Sequence, residues 1–270
     1  MKLVTRRQLG WPASAAPTQT STKGVKVHYE GTAVSADLLK DHARCLAEWQ
    51  AIRKSHLANV RENYSDVAYN YAACPHGFLL EGRGIGKRTG ANGDQPLNVA
   101  HYAIVGLVGS EGLTQPTDAM LGAIRDGIEL LRQHGAGDEI LGHRDGYATS
   151  CPGGPLYAWV KKGAPRPKGT EPAQLPAQQY EPFPGAAWFS MGHKSPVVAR
   201  MHDRLVAVSC NRYKSSANKD TIGSGDVASY EAWMAKYNRD HKKGWSGSAL
   251  KWPPGKETWD ALHIPKGSLH

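Results

Sequence analysis

Residues 99–109 read VAHYAIVGLVG, apolar at nearly every position. A strand covered on both faces has this signature, because neither of its alternating side-chain rows meets water. A chain that contains such a strand must also supply layers to cover it, and the flanking segments qualify. GVKVHYEG (24–31) sets Val25, Val27 and Tyr29 against Lys26 and His28, the period of a strand. SADLLKDHARCLAEWQAIRKSHL (35–57) spaces Leu38, His42, Cys45, Trp49 and Ile52 helically behind a candidate N-cap, Ser35. DVAYNYAACPHGFLLEGRG (66–84) reads as two strands joined at Pro75-His76-Gly77. PTDAMLGAIRDGIELLRQHG (116–135) reads as a helix with Met120, Ile124, Ile128 and Leu131 in one stripe, opened by Pro116 and stopped by Gly135. EILGHRDG (139–146) reads as a short strand running into a loop. The fold class expected is α/β, a mixed central sheet flanked by helices.

A change of composition divides the chain. Pro165, Pro167, Pro172, Pro176, Pro182 and Pro184 crowd a stretch with little apolar content, the mark of an extended linker. The expected organisation is a catalytic-type domain at 1–160, a Pro-rich linker at 161–182 and a small, mainly helical domain at 183–270. In the last, 195–210 and 224–240 read as helices, the first with Val198, Met201, Leu205 and Val208 on one stripe.

The charge balance limits the partners. The net charge is +9 and the pI about 9.3, which suits a polyanion such as nucleic acid, an anionic membrane or the acidic polymers of a bacterial wall. The basic residues are dispersed and match no zinc-finger, homeodomain or RRM pattern, so no nucleic-acid partner is expected. With a mean hydropathy of -0.50 and no apolar run near the length of a membrane span, no span is expected either. The N-terminus carries Arg6-Arg7 and a small-residue stretch at 13–16 without an apolar segment between them. A secretory signal is therefore not expected, and synthesis in a cytoplasm is.

Four cysteines, Cys45, Cys74, Cys151 and Cys210, are too few for a disulfide scaffold. In a reducing compartment a special cysteine is a ligand or a nucleophile. Cys45 falls in a helical pattern and reads as a small buried hydrophobe, while Cys74 and Cys210 carry no signal of their own. Cys151 differs, because GHRDGYATSCPG (142–153) places it shortly after His143. His28, His143 and Cys151 together are a donor set that zinc accepts, and three protein ligands leave a fourth position open, as in catalytic sites. A closed structural site would need one more ligand. His42 and His101 are candidates without a supporting local pattern.

Several stretches, in order, resemble one family. VTRRQLGW (4–11), KVHYEG, HLANVRENYSDVAYNY (56–71), EGRG (81–84), AIVGLVG and GHRDGYATSCPG are similar to segments of the zinc-dependent N-acetylmuramoyl-L-alanine amidases of the peptidoglycan-recognition-protein type, which include small phage lysozymes with amidase activity. The likeness spans roughly residues 4–160 and is most specific in the last segment. It implies Zn2+ held by His28, His143 and Cys151, with Tyr69 and Thr149 as catalytic hydrogen-bond donors. It implies bacterial peptidoglycan as partner and hydrolysis of the amide between N-acetylmuramic acid and L-alanine. One departure is Asn92, which stands where the family often has His, in a Gly-Ala-His run that affects how substrate is held. In the C-terminal region the Gly-Lys-x-Thr-Trp-x-x-Leu pattern at 255–262 resembles small peptidoglycan-binding modules, and Trp245, Trp252 and Trp259 serve either sugar stacking or a core. With no expected export signal, the reading is a monomeric phage endolysin made in the host cytoplasm and acting on the cell wall. The alternatives are a non-catalytic peptidoglycan-recognition protein and a zinc peptidase acting on the stem peptide, though the chain has no His-Glu-x-x-His motif.

Overall fold

A computed structural model describes residues 1–171, 180–215 and 217–266. The chain divides into two units, Met1–Leu175 and Pro176–His270.

The first unit runs β1 (Lys2–Val4), β2 (Thr22–Tyr29), β3 (Ala33–Val34), α1 (His42–Ala58), β4 (Tyr71–Ala73), β5 (Phe78–Glu81), α2 (Gln95–Ala100), β6 (His101–Gly106), β7 (Glu111–Gly112), α3 (Asp118–Gln133), β8 (Ala136–Gly142) and α4 (Gly154–Lys161). Its main sheet has the order β1-β5-β4-β6-β2-β8, and β3 pairs separately with β7. The sheet is mixed: β4 and β5 form an antiparallel hairpin, whereas β6 lies parallel to both β4 and β2. This is the α/β class that the alternation of strand and helix signals implied.

Helix α3 starts where the Thr117 hydroxyl caps the Met120 N–H. Its stripe of Met120, Ile124, Ile128 and Leu131 is buried. A Cβ at Gly106 would meet Leu156, Met120 and Ile124, so α3 and α4 share one face of the sheet. Gly106 pairs with Tyr29, and Val105 with His28. Side chains alternate across a strand, so His28 opens onto the face away from α3 and α4. Gly24 is required for the β2–β8 approach, since a Cβ there would lie 2.0 Å from the Glu139 carbonyl oxygen.

Two elements differ from the sequence reading. The apolar run begins as helix, because Asp94 caps the Leu97 N–H at 2.8 Å and Pro96 fits the first turn. Val99, at 50% exposure, therefore lies outside the buried strand. The polar row of β2 is also not a solvated face: Lys26 and His28 are each 1% exposed.

The first part of the Pro-rich stretch lies against the first unit. The Trp159 indole N–H donates to the Pro165 carbonyl at 2.8 Å, and Arg166 pairs with Asp126 on α3 at 2.6 Å. Residues 172–179 of the expected linker, which include Pro172 and Pro176, lie outside the described residues.

The second unit contains α5 (Pro196–Ala207), α6 (Ser224–Asp240) and α7 (Lys256–Leu262). Its core gathers Phe189, Val198, Met201, Leu205, Tyr230 and Trp259. Trp259 is 1% exposed and donates to the Glu181 carbonyl at 2.9 Å, which makes it a core residue. Trp245 and Trp252 are only partly buried. No helix among the described residues is long and apolar enough to cross a membrane.

Candidate metal centre

Three elements deliver the donors. His28 lies near the C-terminal end of β2. His143 follows the last residue of β8, and its N–H bonds to the Val27 carbonyl at 3.2 Å. The loop after β8 then folds back on itself. Asp145 accepts the Gly142 N–H and the Tyr157 hydroxyl, each at 2.7 Å, and the Arg144 N–H reaches the Cys151 carbonyl at 3.0 Å. Gly153 closes the loop at φ 78°, where a Cβ would press on the Tyr29 ring at 3.1 Å. These restraints bring Cys151 beside the end of β2, where its Sγ accepts the Tyr29 N–H at 3.5 Å.

The ligand atoms of His28, His143 and Cys151 all lie within 4.8 Å of one another. Cys151 Sγ is 3.6 Å from His28 Nδ1, and the two imidazole centroids are 4.5 Å apart. Zinc bonds of about 2.3 Å to sulfur and about 2.1 Å to nitrogen, opened to the tetrahedral angle, put these donors roughly 3.6 Å apart. His143 Nε2 is buried with no hydrogen-bond partner, the condition of an atom that awaits a cation. The residues present therefore fit a zinc ion.

Electrostatics points the same way. Burial, reinforced by His143, holds the His28 pKa well below 6.5. Burial and the Lys26 ammonium lower His143 to about 4. Both rings are thus neutral, the form that ligates. Burial pushes the Cys151 thiol up to about 11, so a cation must displace its proton.

The structure also brings in residues that the sequence reading did not assign. Asn92, noted there only as a departure, is fully buried. Its amide N–H groups donate to the carbonyls of Leu97 at 3.1 Å and His101 at 2.9 Å. Its Oδ1 is thereby turned to His28 Nε2 at 2.9 Å. His28 must carry its proton on Nε2, which leaves the Nδ1 lone pair directed toward Cys151. Lys26 and Glu30 are the others. Lys26 Nζ is buried without a hydrogen-bond partner, and burial lowers its pKa. Burial and Glu48 push the Glu30 carboxyl up to about 9. The signal for both was present, since Lys26 and His28 alternate along β2 and Glu30, the next in that spacing, follows the strand's last residue.

Tyr69 packs its ring edge-on against His28, with centroids 5.4 Å apart. Burial raises its pKa, so the phenol keeps its proton and can donate. The Thr149 hydroxyl accepts the Cys151 N–H at 3.2 Å, which leaves its own hydrogen to donate. Of the two candidates for a fourth ligand, His101 bonds Glu139 at 2.7 Å and His42 belongs to a different cluster. Neither joins this site.

No family model matches the chain. It is 29% identical over 182 residues to N-acetylmuramoyl-L-alanine amidase of Sus scrofa, covering 59% of this chain and 29% of that protein. It is 27% identical over 147 residues to peptidoglycan-recognition protein SD of Drosophila simulans, covering 52% of this chain and 72% of that protein. Among solved structures, peptidoglycan recognition protein-1 of Manduca sexta superposes with a TM-score of 0.52 at 22% identity, covering 60% of this chain and 90% of that one. The chain spans less than a third of the length of the amidases it matches. In sequence it is similar to N-acetylmuramoyl-L-alanine amidases and peptidoglycan-recognition proteins, and its first unit shares the fold of the latter.

Proposed function

We propose that the first unit is a zinc-dependent N-acetylmuramoyl-L-alanine amidase, cutting the amide between the lactyl group of N-acetylmuramic acid and L-alanine. One observation carries this reading: two neutral imidazoles and one cysteine have their donor atoms within 4.8 Å of one another, with an unpartnered nitrogen among them. A ligand set of three leaves room for chemistry.

When bound, zinc supplies a Lewis acid that polarises the scissile carbonyl and makes hydroxide available near neutral pH. The chain's own groups do the rest. Tyr69 and Thr149 each offer a hydroxyl hydrogen to the oxyanion that develops on the carbonyl oxygen. Asn92 holds the His28 tautomer. The Tyr29 N–H bond to Sγ fixes the Cys151 side chain. The second unit serves as a wall-binding module. Trp259 is committed to the core, so sugar stacking falls to the partly buried Trp245 and Trp252. Acting on intact wall, the whole protein lyses cells as an endolysin does.

The test is digestion of purified peptidoglycan followed by end-group analysis. New free L-alanine amino termini without new reducing sugars support the amidase, and Cys151→Ser or chelation abolishes them. Cleavage at another stem-peptide bond, or binding without any release, refutes it in favour of a peptidase or a recognition protein.

A further inference from the structure

A second cluster of soft donors lies outside the centre just described. His42 is the first residue of α1, behind the Asp41 cap, and Cys45 follows one turn later on the same helix face. Cys74 ends the β4 side of the hairpin, in the turn Cys74-Pro75-His76-Gly77, where the Gly77 N–H bonds to the Cys74 carbonyl at 3.0 Å. Cys45 and Cys74 are fully buried and both are free thiols. The three donor atoms lie within 4.8 Å of one another.

The local construction favours a cation over a plain pair of thiols. Cys74 Sγ is 3.5 Å from His42 Nδ1, close to the roughly 3.6 Å that two ligands of one tetrahedral zinc keep. The His42 ring is held in place by stacking on Phe78, with centroids 3.8 Å apart. The hairpin turn fixes the Cys74 backbone, whose N–H donates to the Phe78 carbonyl at 3.1 Å. Cys45 Sγ sits within 3.6 Å of the Leu38 carbonyl, the position of a thiol that keeps its proton until something displaces it. Two thiolates and a neutral imidazole would cancel the charge of a divalent ion, which makes burial affordable. His42 is only partly buried, which leaves an entry path. His76 is drawn off by its Nε2–H bond to Leu38 at 2.7 Å, so the set is three ligands.

We infer that His42, Cys45 and Cys74 form a second metal site, for zinc or another soft divalent cation, that clips the start of α1 to the β4–β5 hairpin. Binding displaces the thiol protons of Cys45 and Cys74 and leaves a fourth coordination position for water. The site uses none of the first cluster's residues, and its occupant adds stability wherever it binds the folded chain and not the unfolded one.

The test uses the full-length Cys151→Ser protein, which lacks one ligand of the first cluster. Titration with cobalt(II) is expected to produce thiolate-to-metal charge transfer saturating at about one equivalent, with a rise in Tm. Adding His42→Gln, a change at a partly buried position, or Cys74→Ser is expected to abolish the band, while Cys210→Ser leaves it intact. Far-UV circular dichroism verifies that each variant is folded. Three results each overturn the inference: no band in Cys151→Ser although all its thiols titrate as reduced, a band that His42→Gln leaves unchanged in a folded protein, or recovery of Cys45 and Cys74 as a disulfide.

Discussion

Replacing Asn92 by alanine tests the logic of the metal centre more sharply than removing a ligand. Asn92 touches no cation. It acts by spending both amide hydrogens on the Leu97 and His101 carbonyls, which leaves Oδ1 as the acceptor for His28 Nε2–H. In Asn92→Ala the imidazole loses this restraint, and its Nδ1 lone pair is no longer held toward Cys151. Loss of such a partner weakens metal binding about 10–100-fold, or about 1.4–2.8 kcal/mol. A separate cost falls on folding, since the buried His101 carbonyl loses a donor at roughly 1 kcal/mol, while the Leu97 carbonyl keeps the His101 N–H. The assay is competition for zinc against a chromophoric chelator at neutral pH, at a temperature where circular dichroism shows the variant folded. This separates affinity from stability. A zinc Kd within about twofold of wild type would refute the claim that Asn92 sets the His28 tautomer.

Three further outcomes are expected. Tyr69→Phe removes one donor to the developing oxyanion and should lower kcat for L-alanine release about 10²–10³-fold with zinc affinity unchanged; a normal kcat removes Tyr69 from the chemistry. His56 accepts the Ala68 N–H through Nδ1 at 3.0 Å, and burial with the nearby Arg83 lowers its pKa from 6.5 to about 4. Between those values the unfolded state binds more protons, so stability should fall as pH drops from about 6.5 toward 4; urea titrations should show a shallower fall in His56→Gln, and an equal slope contradicts the assignment. Ile124→Ala empties a fully buried position under the sheet and should cost about 2–5 kcal/mol in the same assay.

Much of the architecture could be read from local periodicity, because the forces that write it are local. The α3 stripe, the strand at β2 and the hairpin around Pro75-His76-Gly77 follow from side-chain spacing and turn chemistry. Where local capping competed with an apolar run, capping won: Asp94 and Pro96 turned the start of 99–109 into helix. The ligand candidates His28, His143 and Cys151 were nameable as a donor set that zinc accepts, and it was the resemblance to the amidases that singled them out.

What the sequence by itself determined was the identity of the donors and the elements that carry them. Only the tertiary structure decided which donors meet. Parallel pairing of β2 with β8 sets His143 beside β2, and the loop restrained by Asp145 brings in Cys151 from more than a hundred residues away. Packing on the far side of the sheet buries Lys26 and His28, polar positions that alternation alone assigns to solvent. The hairpin turn gives Cys74 its partners on α1. Burial and convergence depend on contacts distant in sequence, and no local window contains them.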